Sequence, residues 1–280
     1  MAFHTRSNSF PSRPHPLFQE IDEHLCRLKS SEATSTSSSS ISHKLSSLQD
    51  LHDCVDRLLQ LPLTQKALAQ EQHQKWANEL LDGSLRILDV CSTSKDALMK
   101  TKENVQDLQS IIRRKRGDES AVLKSEARKY LISRKTVKKA LHKALGNMKG
   151  MANRSSSSCN KDQETITIVS KLRDVEAVTL AMFESVLSFI SGPKSKPYSW
   201  SLVSKMLQSN RIACEEETKV NEFTEVDAAL KSLKSGDNTH NQLNNLESCI
   251  QDQEEALDCL YRQLIKTRVS LLNISSTTRY

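Results

Sequence analysis

The 280-residue sequence has few of the residues that build sheets and tight turns. Glycine and proline each occur six times, and aromatic residues make up 4% of the chain. A β-sandwich or an α/β enzyme normally needs more glycine turns and more β-branched or aromatic runs. Leucine, lysine, glutamine and glutamate are abundant instead, which suits helices. The composition therefore predicts an all-α protein.

Recognisable catalytic and nucleotide-binding motifs are also missing. The chain contains no G-x-G-x-x-G, no G-x-x-x-x-G-K-[ST], no G-x-S-x-G and no H-E-x-x-H. His24 and Cys26, like His52 and Cys54, are two residues apart and would diverge on a helix, so neither pair can chelate one ion. We therefore expect a non-enzymatic protein with no catalytic residue, no cofactor and no metal ion.

Cysteine usage and hydropathy indicate a compartment. The seven cysteines form no C-x-x-C pair, and their odd number favours reduced thiols inside the cell. No uncharged apolar run reaches 18 residues and no signal-peptide core follows Met1, so we expect neither a transmembrane helix nor secretion. A cytoplasmic location is favoured, with a peripheral membrane, nuclear or plastid location as the alternatives.

The domain organisation follows from composition shifts. Residues 1–15 are predicted to be a disordered regulatory tail, which explains the Ser-, Arg- and Pro-rich start better than a plastid transit peptide does. Residues 16–275 are predicted to form a single α-helical bundle domain, and residues 276–280 a short C-terminal tail. Within the bundle we expect a Ser-rich loop at 34–40 and a linker at 149–160.

Hydrophobic periodicity predicts long helices. One helix is expected from Thr64, as its cap, to about Asp82, and another from Ser84 to Arg116, roughly 50 Å long at 1.5 Å per residue. Shorter helices are expected over residues 199–210 and 213–235. The predicted architecture is an elongated multi-helix bundle with long antiparallel helices.

The last helix has the clearest pattern, with apolar residues at alternating three- and four-residue steps. Gln253 and Thr267 fill the two missing places, and the apolar members are Leu243, Leu246, Ile250, Leu257, Leu260, Leu264, Leu271 and Ile274. Such a stripe can form a coiled-coil seam and allows a homo-oligomer. An inner helix of this chain's own bundle is favoured, because Cys249, Ile265, Val269 and Leu272 widen the apolar face.

Positive charge is concentrated in one part of the chain. Between Ile111 and Arg154 fourteen lysines and arginines face three acids, a net charge of +11, whereas the whole chain carries +6. The predicted basic surface consists of Arg113, Arg114, Lys115, Arg116, Arg134, Lys135, Lys138 and Lys139. A solvated face is the default interpretation, and an anionic membrane or an acidic partner is the alternative. Nucleic acid is not favoured, because base-stacking aromatics and a DNA-reading module are lacking.

A short motif lies in the N-terminal tail. Arg6, Ser7, Ser9 and Pro11 fit the pattern R-S-x-S-x-P, which 14-3-3 proteins bind once the second serine is phosphorylated. A phosphate dianion would be captured by arginines, and the proline would turn the chain out of the groove. A chance match in a serine-rich tail is the alternative.

Three segments together resemble plant proteins that carry domain of unknown function 241. They are the tail from Arg6 to Leu17, the block from Trp76 to Arg114 with its run Leu88-Asp-Val-Cys-Ser-Thr-Ser-Lys-Asp-Ala-Leu98, and the ending Leu271-Leu-Asn-Ile-Ser275. This family is grouped with the BYPASS-like proteins. The resemblance implies an all-helical, plant-specific, non-enzymatic protein with a role in root and shoot development, in a group associated with restraining a root-derived mobile signal.

Together these observations predict a regulatory or scaffold protein that acts through protein–protein contacts. A 14-3-3 protein is one expected partner, through phosphorylated Ser9. The competing prediction is a peripheral membrane or anionic-lipid-associated protein that uses the basic helix pair at residues 111–154.

Overall fold

The computed structural model describes residues 15–32, 37–70, 74–114, 120–149, 163–192, 221–232 and 237–277. These residues form eight helices and no strand, which confirms the all-α class. The helices are α1 (Pro16–Glu32), α2 (Ser38–Leu59), α3 (Pro62–Leu68), α4 (Gln74–Arg113), α5 (Ser120–Lys149), α6 (Gln163–Ser191), α7 (Glu222–Ser232) and α8 (Asp237–Thr277). Most of the predicted tail, nearly all of the predicted linker and the helix expected at 199–210 lie outside the described residues.

The two longest helices, α4 and α8, organise the bundle. They have 40 and 41 residues and so are each about 60 Å long. They run antiparallel, and α8 packs against both α4 and α2. On the other side, α4 packs against α5 and α6. The pairs Glu79–Arg173 and Arg86–Glu176 advance in the same direction along α4 and α6, so these two helices are parallel.

The inward face of α8 supplies the centre of a continuous hydrophobic core. All eight apolar residues of the heptad stripe are at most 7% exposed, and Gln253 and Thr267 are buried with them. The prediction of an inner helix is therefore confirmed, and the stripe is used within the chain. The predicted widening of the stripe was wrong for three of its four residues: Cys249 is buried, but Ile265, Val269 and Leu272 are exposed. They lie beyond the positions that α2 and α4 cover.

Helix α4 continues through Gly83, where the sequence predicts two separate helices. Gly83 is buried, and a Cβ at this position would collide with the carboxylate of Glu176 on α6. Glycine therefore permits close packing of α4 on α6. The same carboxylate pairs with Arg86 at 2.5 Å, one turn further along α4.

Two further boundaries differ from the predictions. The Ser-rich stretch is part helix, because the hydroxyl of Ser37 accepts a hydrogen bond from the backbone of Ser40 and caps α2. Serine is unfavourable in helix interiors but favourable at this position. The loop predicted from the Ser-rich composition therefore extends three residues too far, because α2 begins at Ser38. Pro62 begins α3, as suits the first turn of a helix, and Thr64 is buried inside α3.

Helix α7 is attached to the end of α6. Gly192, with φ of 74°, ends α6 in a left-handed conformation that favours glycine. Asn221 caps α7 by accepting from the backbone of Thr224 at 3.0 Å, and its amide nitrogen donates to the carbonyl of Phe189 at 2.7 Å. The rings of Phe189 and Phe223 then pack edge to face. These contacts place α7 over α5 and α8.

Candidate interaction surfaces

The outer edge of the α4–α8 pair carries a regular ladder of polar contacts. Its rungs recur at seven-residue steps on both helices: Lys95 with Asp258 at 2.6 Å, Lys102 with Gln251, and Gln109 with Asn244 at 3.0 Å. Lys102 and Gln109 also bond Glu254 and Glu247. A seven-residue repeat keeps the same edge of each helix in contact, so the ladder fixes the register of the pair.

Continuing the same seven-residue step changes the chemistry of the ladder. The next two rungs along this step place Leu88 level with Ile265 and Leu81 level with Leu272. Leu85 and Val269 lie beside these rungs on the outward side of each helix. Ile265, Leu272, Leu85 and Val269 are 41%, 45%, 45% and 47% exposed, whereas Leu81 and Leu88 are partly buried. We call these six residues the apolar face.

The apolar face has edges of opposite charge. Asp82 and Asp89 are exposed on the α4 side, and Arg262 is exposed on the α8 side. Beyond Asp258, α8 contains no further acidic residue. Within the described part of the chain, neither aspartate forms an ion pair, and Arg262 forms none either. Sequence reasoning missed this surface, because it assigned Ile265, Val269 and Leu272 to the apolar face of an inner helix.

The predicted basic surface is only partly a surface. Lys115 and Arg116 lie outside the described residues. Of the six predicted members that the structure describes, four are exposed: Arg113, Arg114, Lys135 and Lys139. On α5 the exposed lysines belong to a face that also contains Arg128 and Lys129 and has Ile132, 64% exposed, at its centre.

Arg134 was wrongly assigned to the basic surface, because it is 2% exposed. Its guanidinium donates to Asp227 on α7 at 3.2 Å and to the carbonyl of Ile190 on α6 at 2.9 Å. Lys138 donates to the same carboxylate at 2.8 Å. Burial opposes ionisation of Asp227, but the two cations outweigh it, so the pKa of this carboxyl is lowered. The group joins three helices and is a structural ion-pair network.

The structure also assembles a group that sequence spacing did not suggest. Glu20 and His24 on α1 and Cys54 on α2 have potential metal-ligand atoms within 4.8 Å of one another. The guanidinium of Arg57 already donates to Glu20 at 2.7 Å and to Cys54 at 2.9 Å. A positive charge therefore occupies the place that a metal cation would need, and the arrangement is that of a salt-bridged contact between α1 and α2.

The buried thiols are unsuited to nucleophilic chemistry at neutral pH. Burial raises the pKa of Cys54 to about 11, and the pKa values of Cys91 and Cys249 to about 12. Cys91 lies in the centre of the block that resembles the plant family, where it packs in the core. That block forms most of helix α4 and has a structural role in the bundle.

The described residues thus define an all-helical bundle that has an apolar face on the α4–α8 edge and a basic face on α5. The model of the family described as Protein BPS1 matches residues 44–274. The chain belongs to this family, which carries domain of unknown function 241, and the resemblance is confirmed. A comparison with curated proteins finds no match to the chain, and a comparison with solved structures finds none either.

Two other predictions concern the membrane and the N-terminal tail. No helix among the described residues is both long and apolar enough to cross a bilayer. The motif of Arg6, Ser7, Ser9 and Pro11 lies outside the described residues and stays a prediction. Recovery of a 14-3-3 protein by a peptide phosphorylated at Ser9, and not by the unmodified peptide, would support it; equal recovery by both would contradict it.

Proposed function

We propose that the protein is a non-enzymatic helical scaffold that acts through protein contacts in plant root and shoot development. Membership of the BPS1 family supports the developmental role. The observation that supports protein contacts is the apolar face, where apolar residues take the place of two rungs of an otherwise polar ladder and Leu85, Ile265, Val269 and Leu272 are exposed.

Among the described residues, no other side chain covers the four exposed members of the apolar face. The buried stripe of α8 packs in the core, and polar rungs join the outer edges of α4 and α8 over three heptads, so pairing of the two helices does not require exposed apolar residues on the outer edge. Contiguous exposed apolar patches on soluble proteins commonly mark interaction sites. Burying such side chains against a partner would stabilise the complex by about 25 cal/mol per Å² of apolar surface removed from water.

The test compares one face variant with a matched control in root tips. The variant is Leu85→Glu with Val269→Glu, and the control is Leu63→Glu with Val122→Glu, which places the same two charges at exposed positions on α3 and α5. We expect the face variant to lose the proteins that co-purify with the wild type and to fail to restore root growth in plants lacking the protein. The control should retain both properties. Full restoration of growth by the face variant would contradict the proposal.

The exposed part of α5 supports a second candidate function, association with anionic membranes. Ile132 projects from the middle of a basic face whose cations are Arg128, Lys129, Lys135 and Lys139. An apolar side chain surrounded by cations suits a surface where lipid headgroups supply negative charge and the acyl region accepts the side chain.

Co-sedimentation with phosphatidylserine-containing vesicles tests the membrane candidate. The suitable variant is Lys135→Glu with Lys139→Glu, because swaps at Arg134 and Lys138 would break the contacts to Asp227. We expect binding that falls with rising salt and is lost in the variant. Equal sedimentation of wild type and variant would contradict this function and leave the scaffold proposal untouched.

A further inference from the structure

We infer that the apolar face binds a second copy of the same chain and forms a symmetric dimer. The inference rests on the proposed function, since it names the partner of the same surface. The charges at the edges of the face support this partner. One particular two-fold rotation brings the acidic edge of each copy opposite the basic edge of the other.

The α4 edge is acidic and the α8 edge is basic. Asp82 and Asp89 border Leu85 on the side away from α8, and Arg262 lies one helical turn from Ile265 on the side away from α4. These charges have no ion-pair partner within the described residues, although the polar rungs nearby are paired. A partner with a basic strip, an apolar centre and an acidic strip would match this surface.

A second copy supplies that arrangement when the two-fold axis runs parallel to the helices. The rotation places α4 of each copy over α8 of the other, at the same level along the axis. Asp89 then faces Arg262 of the second copy, and the six apolar residues meet their counterparts. Facing helices run antiparallel, as α4 and α8 do within each chain. The contact is isologous, so it closes at two copies.

The perpendicular axis is disfavoured by the same charges. It would place α4 over α4 and bring Asp82 and Asp89 towards the identical residues of the second copy. Like charges facing each other across an interface cost free energy. The coiled-coil arrangement is excluded as well, because the heptad stripe of α8 is already buried within the chain.

The helices are long enough to support a stable contact. A standard interface buries about 800 Å² on each partner. Two helices about 60 Å long, with axes about 10 Å apart, present more area than this along their shared outer edge. The apolar face would form the dehydrated centre of the interface, and the polar rungs would form its wetter remainder.

Light scattering on the full chain across a concentration series tests the inference. We expect the wild type to approach twice the chain mass of 31.6 kDa as concentration rises. Leu85→Glu with Val269→Glu should keep the monomer mass, and Leu63→Glu with Val122→Glu should dimerise like the wild type. A wild type that stays monomeric, or a face variant that dimerises equally well, would overturn the inference.

Charge exchange tests the direction of the axis. Asp89→Arg alone and Arg262→Asp alone should each weaken the dimer at least tenfold, because each creates two like-charge contacts. Mixing the two variants should restore association as a heterodimer, since each of its two edge contacts then joins an arginine to an aspartate. Failure of the mixture to associate would overturn the proposed arrangement.

The outcome is separable from that of the scaffold proposal. A monomeric wild type would overturn self-association, whereas loss of partners and of root growth in the face variant would still support a scaffold. Conversely, a dimer that is lost in the face variant, together with normal root growth, would support the interface and contradict its role in the proposed function.

Discussion

Two regions of the molecule reverse the usual distribution of side chains, and they do so with opposite consequences. At the junction of α5, α6 and α7, charged Arg134 and Asp227 are buried. At one end of the α4–α8 pair, leucine, isoleucine and valine are exposed. The buried charges are bonded to each other and to a backbone carbonyl, so they are paired within the chain. The second region has no such partner within the described residues, which is why we interpret it as an interaction surface.

The largest effect is expected at the buried ion pair. Arg134→Ala leaves Asp227 buried with only Lys138, so the free energy of unfolding should fall by about 3–5 kcal/mol. Chemical denaturation followed by circular dichroism measures this change. The neighbouring Lys135→Ala should change stability by less than about 0.5 kcal/mol, because Lys135 is exposed. Equal losses of stability in the two variants would contradict the assignment of Arg134 as a buried structural cation and Lys135 as an exposed one.

Acid should destabilise the bundle through buried His52. Its Nε2 lies 3.0 Å from the hydroxyl of Thr179, and burial lowers the pKa of the imidazole from 6.5 to about 4. The unfolded chain therefore binds a proton more readily, and stability falls as pH drops from about 6.5 to 4. The loss should reach about 3 kcal/mol.

Denaturation at several pH values checks this effect. His52→Gln keeps a nitrogen near the position of Nε2 and should flatten the dependence between pH 6.5 and 4. His43→Gln, on the exposed side of the same helix, is the control and should keep the wild-type slope. A wild-type stability that is constant over this range would contradict the assignment of His52 as a neutral buried group.

A polar rung should contribute much less than the buried pair. Lys95 and Asp258 are 34% and 48% exposed, so solvent screens their interaction. Lys95→Ala should lower the free energy of unfolding by about 0.5 kcal/mol, measured by the same denaturation experiment. A loss of several kcal/mol would show that the ladder, and not the core beneath it, holds α4 to α8.

The sequence allowed the inner side of the bundle to be predicted well. The spacing from Leu243 to Ile274 identified an inner helix, because a stripe of this width must be covered on one side. Local chemistry was harder to interpret. Gly83 looked like a helix break because its function is to admit Glu176 from another helix, and the short Ser-rich stretch hid a helix cap at Ser37.

The candidate surfaces could not be predicted from local sequence patterns, because they depend on contacts between residues that are far apart in the chain. Arg134 and Lys135 are adjacent and chemically alike, yet only Arg134 meets Asp227, which lies 93 residues away. Ile265 and Val269 look like a wider core stripe in the sequence. Only the positions of α2 and α4 show that nothing within the described chain covers them.

The most direct test measures stability and mass on the same double variant, Leu85→Glu with Val269→Glu. Our account predicts that the dimer is lost while the free energy of unfolding changes by less than about 0.5 kcal/mol, when denaturation is performed at a concentration low enough to keep the wild type monomeric. A loss of stability comparable to that of Arg134→Ala, with association unchanged, would instead show that the apolar face belongs to the structural core.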